Sequence, residues 1–183
     1  LPNFDIAAYI KTATEVGGDY YDFHVHLDGT LTVIIGDATG HGMQSGMMVS
    51  IIKSLFMSDR SNKGLVPFFQ NTNKAIKDMQ LGRLLMALAS IQFNHDSIKL
   101  IIAGMPPIYH YKKSSKTVDE ISTSNFPLGA MALSNYDLIE RKIESGDTFL
   151  LMSDGFAELR NSEDEMIGYK NTRNIFEDIA EKT

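Results

Sequence analysis

The most constraining feature of this sequence is residues 34–42, in which an apolar run ends at Asp37 and a glycine-rich turn follows. The alternation over residues 31–35 predicts a buried strand, so Asp37 would lie at the rim of the core, where its charge stays hydrated or binds a cation. The glycines would let backbone N–H groups approach an anion closely. Related stretches occur at residues 16–22 and 149–155. We expect the fold to bring the three stretches together.

Asp19, Asp37 and Asp154 each lie among small residues in these stretches. Carboxylates that converge at one end of a sheet repel each other unless cations neutralise them, and an all-oxygen site suits Mg²⁺ or Mn²⁺ better than zinc. Two such ions about 3.5–4 Å apart would activate water and bind a phosphoryl oxygen. This pattern favours hydrolysis of a phosphate ester by direct attack of water. The sequence has no cysteine and no Gly-x-Ser-x-Gly motif to supply a nucleophile for a covalent intermediate.

Other interpretations of the same residue types stay open. An Asp beside a glycine is most often a turn residue, and we assign Asp28, which precedes Gly29, wholly to a hairpin turn. We interpret Asp22 as a structural residue or as a neighbour that orients a ligand. His41 lies in the glycine turn, where it either donates a proton to a leaving alkoxide or only packs the turn.

The remaining histidines are less informative. His24 and His26 share one face of a predicted strand and could bind zinc, but no third ligand lies nearby in the sequence, so we expect solvent-facing strand residues. His95 and His110 are expected in loops.

Composition excludes several classes of function. A chain of 183 residues with 43% hydrophobic content predicts one domain with one sizeable core. The net charge of −6 disfavours binding to nucleic acid and to anionic membrane surfaces. No apolar run approaches the roughly 20 residues of a membrane span, so we expect no membrane insertion. The lack of cysteine fits a reducing cytosol, and we expect a cytoplasmic location.

Periodicity predicts an α+β fold with antiparallel sheets and helices on the outside. The dipeptide Asp28-Gly29 separates two alternating runs and predicts a hairpin. Helical spacing begins at Met43, breaks at residues 61–64 and resumes, which predicts an antiparallel helical pair. Strands are predicted in residues 1–10, 84–93, 98–103, 108–111, near Val118, 138–143 and 148–152, and a helix in residues 171–182. A P-loop and a dinucleotide-binding fingerprint are both absent from the sequence.

Six motifs occur in a characteristic order. They are residues 15–23 (EVGGDYYDF), 36–42 (GDATGHG), 103–107 (AGMPP), 127–129 (PLG), 146–148 (GDT) and 153–158 (SDGFAE). Together they resemble the PPM-type metal-dependent serine/threonine protein phosphatases, in their SpoIIE-like, sigma-factor-regulatory branch. The resemblance covers almost the whole chain.

The resemblance implies an αββα sandwich of two antiparallel sheets with a centre of two Mn²⁺ or Mg²⁺ ions. By position, Asp37 would bridge the metals, Asp19 and the Ala38 carbonyl would complete one site, and Asp154 would bind the other ion. The implied substrate is phosphoserine or phosphothreonine on a STAS-domain protein that antagonises an anti-sigma factor. The helical pair after Gly42 resembles a switch element, through which an upstream sensor or coiled coil adjusts the metal site. A homodimer stays open.

The chain departs from this family at several positions. Family members continue into a last strand with a further acidic pair, so we expect residues 1–183 to form a single domain without that strand, cut from a longer protein. Asp178 lies on the predicted tail helix and is a poor substitute for the missing ligand. Met105 stands where a His is common, and Met86 where a Thr is common. The alternative function is therefore a catalytically weak binding or switch module.

Overall fold

The computed structural model describes residues 4–12, 16–59 and 64–182, in which alternating and helical sequence patterns become two antiparallel sheets and their covering helices. The strands are β1 (Asp19–Val25), β2 (Leu31–Ala38), β3 (Met86–Phe93), β4 (Ser97–Ala103), β5 (Ile108–Lys112), β6 (Thr117–Ile121), β7 (Ile139–Lys142) and β8 (Thr148–Leu150). The helices are α1 (Met43–Ser58), α2 (Leu65–Asp78), α3 (Asp154–Ala157) and α4 (Gly168–Ala180).

The predicted hairpin at Asp28-Gly29 is confirmed. Strands β1 and β2 pair in antiparallel register, and Gly29 lies between them with a φ of 85°, which glycine adopts at little cost. The Asp28 carboxylate accepts a hydrogen bond of 3.0 Å from the Thr30 N–H. In this register Asp19 lies opposite Asp37. A local turn therefore fixes which carboxylates become neighbours at the far end of the hairpin.

The layers follow from which face of each strand is apolar. The larger sheet has the order β1-β2-β3-β4-β7, and one face packs against α1 and α2 through side chains that include Ile34, Met48 and Phe69. Its other face packs against the smaller sheet, β6-β5-β8, through a second core. Helix α4 covers the outer face of the smaller sheet, where Phe176 lies near Tyr109. The predicted αββα sandwich is confirmed.

The predicted strand in residues 1–10 is wrong for the part that the structure describes, since residues 4–10 form no strand. The Phe4 ring packs against Phe93, with 5.4 Å between ring centroids, but Tyr9 is 84% exposed. An alternating pattern forms a strand only where a neighbouring backbone offers hydrogen bonds. Residues 1–3, the motif residue Glu15 and the predicted helix break at residues 61–63 lie outside the described residues.

The other predicted elements are present with small shifts at their ends. The tail helix begins at Gly168 rather than at residue 171, and β8 ends at Leu150 rather than at residue 152. Phe56 of α1 lies 6.1 Å from Phe68 of α2, between ring centroids, so the two helices of the predicted pair contact each other. None of the helices in the described part of the chain has both the length and the apolar content that a bilayer crossing requires.

Candidate functional site

Asp19 and Asp37 lie side by side at one end of the larger sheet. Val33 and Ile35 pack in the core between the two sheets, so the alternation of β2 directs Asp37 to this same face. Asp19 is the residue paired with Asp37 across the hairpin. Cβ atoms of directly opposed residues are typically about 4.5–5.5 Å apart. Two partly buried carboxylates thus face the space between the sheets.

Asp154 approaches the same place from the smaller sheet. It follows β8 and is the first residue of α3, whose N-cap is Ser153. Burial, together with the negative charges of Asp19, Asp154 and Glu158, raises the pKa of Asp37 to about 6. The structure therefore places all three predicted carboxylates within electrostatic reach of one another.

Glu158 is a site residue that sequence reasoning missed. It lies one helical turn after Asp154, and its N–H donates a hydrogen bond of 3.0 Å to the Asp154 carbonyl oxygen. Its charge acts on Asp37 and also on Tyr169 at the start of α4, whose pKa is raised by burial and by the Asp154 and Glu158 charges. The signal was available, because four-residue spacing on a helix places two side chains on one face.

Gly18 makes room for the Asp37 side chain and the Ala38 backbone. Its carbonyl oxygen accepts a hydrogen bond of 3.0 Å from the Ala38 N–H. A Cβ atom at this position would lie 2.6 Å from the Ala38 carbonyl oxygen and 3.1 Å from Asp37 Oδ1. Both oxygens therefore face the same point beside Gly18, and only glycine leaves their approach unobstructed.

The donor chemistry of this site fits a hard divalent cation. Carboxylate and carbonyl oxygens are the ligands that Mg²⁺ and Mn²⁺ prefer, and Asp37 faces other acids that a cation would neutralise. Within residues 4–12, 16–59 and 64–182, however, no three Asp, Glu or His side chains are gathered closely enough to form a metal-binding group. Like charges repel each other, so these carboxylates face one another without forming a compact group.

His41 lies in the glycine turn that follows Asp37 and leads into α1. It is exposed in the turn between Gly40 and Gly42, which have φ angles of 90° and 69°. Gly42 is the N-cap of α1. The turn therefore presents the imidazole to solvent at the end of the sandwich that holds Asp37.

Asp22 faces the helices rather than the acidic cluster. Its carboxylate accepts hydrogen bonds from the Tyr20 hydroxyl at 3.0 Å and from Lys53 Nζ of α1 at 2.6 Å. Burial alone would raise the pKa of Asp22, but these donors and the Phe23 N–H lower it. The expected structural role agrees with this arrangement, in which Asp22 joins β1 to α1.

His24 and His26 are partly buried, so their expected exposure to solvent is wrong. Their rings lie 4.7 Å apart between centroids, and His26 Nε2 is 2.9 Å from Thr32 Oγ1. Both line a cavity of about 30 Å³ beneath the junction of α1 and α2. The even-numbered face of β1 packs against the helices, which explains why hydrogen-bonding side chains are found there.

The expectation of a loop position for His110 is also wrong. His110 lies in β5 with 1% of its side chain exposed, and its ring stacks on Phe149 with 4.2 Å between centroids. Its Nε2 atom donates to Asp147 Oδ2 at 2.9 Å. The strand predicted over residues 108–111 is present as β5, at the centre of the smaller sheet, and it contains His110. His95, by contrast, lies in a turn as predicted.

The two methionines that depart from the family pattern, Met86 and Met105, both lie in apolar surroundings. Met86 is fully buried and pairs with Ala38, so its side chain packs against the helix face of the larger sheet. Met105 packs in the core between the sheets. Asp178 lies on α4, as predicted, and is not among the charges that act on Asp37.

Known proteins resemble this sequence and this fold. RsbU of Bacillus subtilis (strain 168), described as a phosphoserine phosphatase, is 26% identical over 160 residues, which are 85% of this chain and 47% of RsbU. This chain thus spans about half the length of that relative. The structure of the RsbU and RsbW domains of Rv1364c from Mycobacterium tuberculosis matches with a TM-score of 0.75 and 21% identity, over 92% of this chain and 47% of that one.

The SiaA-PP2C domain of Pseudomonas aeruginosa matches with a TM-score of 0.76 and 20% identity, over 91% of this chain and 68% of that one. At these identities the structural matches show a shared fold of two antiparallel sheets flanked by helices. Residues 27–183 match the family described as Stage II sporulation protein E (SpoIIE). Because this match covers most of the sequence and includes Asp37 and Asp154, the chain belongs to the SpoIIE family.

Proposed function

We propose that this chain hydrolyses phosphoserine or phosphothreonine on a regulatory protein, with Mn²⁺ or Mg²⁺ as cofactor. The observation that carries the proposal is that Asp19, Asp37 and Asp154, which come from two sheets, lie within electrostatic reach of one another, so that burial and the neighbouring negative charges raise the pKa of Asp37 to about 6. Like charges held together in this way bind protons or cations. The 26% identity with RsbU, a phosphoserine phosphatase, supports the same class of reaction.

The residues have distinct proposed roles. Asp37 would contact two ions, Asp19 and the Ala38 carbonyl oxygen would contact one of them, and Asp154 the other. When bound, the ions would lower the pKa of a water molecule and neutralise the phosphoryl oxygens. His41, exposed beside Gly40 and Gly42, would donate a proton to the leaving serine or threonine oxygen.

The proposed substrate and setting extend the resemblance to this family. We propose a phosphorylated STAS-domain protein as substrate and the cytoplasm as the location, which the absence of cysteine supports. Since the chain spans about half the length of RsbU, we propose that an upstream sensor or coiled coil of a longer protein acts on α1 and α2.

The test is turnover of a phosphoserine STAS-domain protein over a Mn²⁺ titration, with free phosphoserine as a competing substrate. We expect turnover only with metal, and an Asp37→Asn loss of at least about 100-fold in kcat/KM, because a ligand matters at least as much as the groups that orient it. Asp28→Asn is the matched control, since Asp28 occupies a hairpin turn. Turnover by Asp37→Asn equal to that of the wild type would contradict the proposal. A preference for free phosphoserine over the phosphoprotein would indicate a small-molecule phosphatase.

The proposed role of His41 has a separate test. His41→Gln should lower kcat by about 100-fold for a substrate with a poor leaving group, which is typical of a lost general acid. It should matter little for an aryl phosphate, whose leaving group needs no proton. An equal loss for both substrates would contradict a proton-donor role.

A second candidate function is a binding or switch module with weak catalysis. It is favoured by the lack of any gathered group of three metal-binding side chains in the described part of the chain. Calorimetry with Mn²⁺ separates the two functions. Binding that Asp37→Asn abolishes supports the phosphatase, whereas no binding in the full-length protein supports the module.

A further inference from the structure

Asn73 is a buried polar residue whose hydrogen bonds leave its own helix. It lies in α2 with 2% exposure. Its Nδ2 donates to the Met131 carbonyl oxygen at 3.0 Å, and its Oδ1 accepts from the Gly129 N–H at 2.8 Å. A buried carboxamide is costly unless both ends are hydrogen-bonded. Here both ends bond to the loop that connects β6 to β7.

This loop packs tightly against α2. Gly129 has a φ of 87°, and an added Cβ would lie 2.8 Å from Ile76 Cγ2. The next residue back, Leu128, is fully buried. Asn73 and Ile76 therefore hold the loop to one side of the helix, by hydrogen bonds and by close contact.

The same loop continues by backbone hydrogen bonds to the end of β2. Leu128 and Met86 exchange two hydrogen bonds of 2.8 and 3.0 Å. Met86 pairs with Ala38 in the register of β2 and β3. Next to this pair, the Thr39 N–H donates to the Leu85 carbonyl oxygen at 3.0 Å, and the Leu85 N–H donates to Thr39 Oγ1 at 2.9 Å. A continuous hydrogen-bonded path joins α2 to the backbone beside Asp37.

We infer that Asn73 is a positioning residue, which fixes α2 to the loop at residues 127–131 and thereby sets where the Ala38 carbonyl oxygen and the Asp37 carboxylate stand. The inference rests on the proposed function, because it concerns how well this pair of oxygens binds a divalent cation. It also supplies a route by which movement of α2 reaches the acidic cluster. Because both ends of the Asn73 carboxamide bond to this loop, a shift of α2 along the loop would break both of these hydrogen bonds.

The test uses two variants of different character. Asn73→Asp keeps an acceptor for the Gly129 N–H but places a carboxylate oxygen against the Met131 carbonyl oxygen. Asn73→Ser is too short to reach both partners, and it is the second variant should Asn73→Asp fail to fold. Phe176→Leu is the control, because it loosens the packing of α4 at the opposite face and leaves the path intact.

We expect the dissociation constant for Mn²⁺, measured by calorimetry, to rise at least about fivefold in the Asn73 variants, the lower end of typical coupling between sites. Turnover lost at low Mn²⁺ should return at saturating Mn²⁺, with KM for the phosphoprotein unchanged. Without metal, the Asn73 variants should show faster amide hydrogen exchange than the wild type in residues 36–42 and 127–131. Phe176→Leu should change neither the affinity nor the exchange in these segments.

Unchanged Mn²⁺ affinity and unchanged exchange at residues 36–42 in a folded Asn73 variant would overturn the inference. A loss of turnover that saturating Mn²⁺ does not restore would also overturn it. Failure of the proposed function looks different, since the wild-type chain would then not bind Mn²⁺. In that case the exchange measurement on metal-free protein still decides whether Asn73 links α2 to the end of β2.

Discussion

The dipeptide Gly-Asp occurs at one end of a strand in two places, Gly36-Asp37 in β2 and Gly146-Asp147 before β8, but in opposite surroundings. Asp147 accepts hydrogen bonds from the N–H groups of Lys113 and Glu144 and from His110. Burial alone would raise its pKa, but these donors lower it. Asp37 instead faces three acids, and burial together with their negative charges raises its pKa to about 6. A carboxylate that accepts several hydrogen bonds stabilises the fold. A carboxylate among other acids is repelled by their charges and therefore favours binding of a cation or a proton.

We expect the largest effect on stability from Asp147, the carboxylate that accepts several hydrogen bonds. Asp147→Ala should lower the free energy of unfolding by about 3 kcal/mol, because two backbone N–H groups and the buried His110 lose their acceptor. Urea unfolding measures it. Mn²⁺ affinity of the folded fraction should not change. A loss of affinity without a loss of stability would break the comparison, since Asp147 would then belong to the metal site.

Gly18→Ala should have the next largest effect, a loss of about 2 kcal/mol in unfolding free energy with weaker Mn²⁺ binding. The new Cβ would press against the Ala38 carbonyl oxygen and Asp37 Oδ1. Gly155→Ala is a matched control beside Asp154, because the nearest atom to its Cβ would be Ser153 Oγ at 3.9 Å. Equal stability of the two variants would show that the approach of Gly18 to Asp37 is not tight.

Asp37→Asn should stabilise the metal-free protein by about 1 kcal/mol above pH 6, after allowance for solvent screening of a partly exposed group. Its folded pKa of about 6 lies above the ordinary value of 3.8, so the folded state holds this proton more tightly. The wild type therefore loses stability as pH rises from about 4 to 6, and the gain of the variant should vanish below pH 4. Thermal unfolding with a chelator, from pH 4 to pH 8, measures this, and a destabilised variant at pH 8 would contradict it.

The smallest effect concerns how the free energy of unfolding falls at acid pH. The pKa of Asp147 is lowered from 3.8, so its stabilisation is present above pH 3.8 and is lost as pH falls through the folded value. Asp147→Asn should therefore show a shallower loss of unfolding free energy between pH 4 and pH 2 than the wild type. Parallel curves for the two proteins would mean that Asp147 titrates alike in both states.

Local patterns in the sequence determined most of the elements. The hairpin at Asp28-Gly29, helices α1 and α2 and the strands from β3 onward follow from period and turn chemistry, which act over a few residues. The three acidic stretches were likewise visible, because a carboxylate that ends an apolar run is a local signal. Glu158 could have been found by its helical spacing from Asp154.

Only the tertiary structure decided which of these residues meet. The register of β1 and β2 places Asp19 beside Asp37, and the packing of two sheets brings Asp154 to them, although it is more than 100 residues away in the sequence. Burial of His110 and the failure of residues 4–10 to form a strand also depend on partners distant in the chain. A single sequence records what each segment can form, and pairing across the chain decides what it contacts.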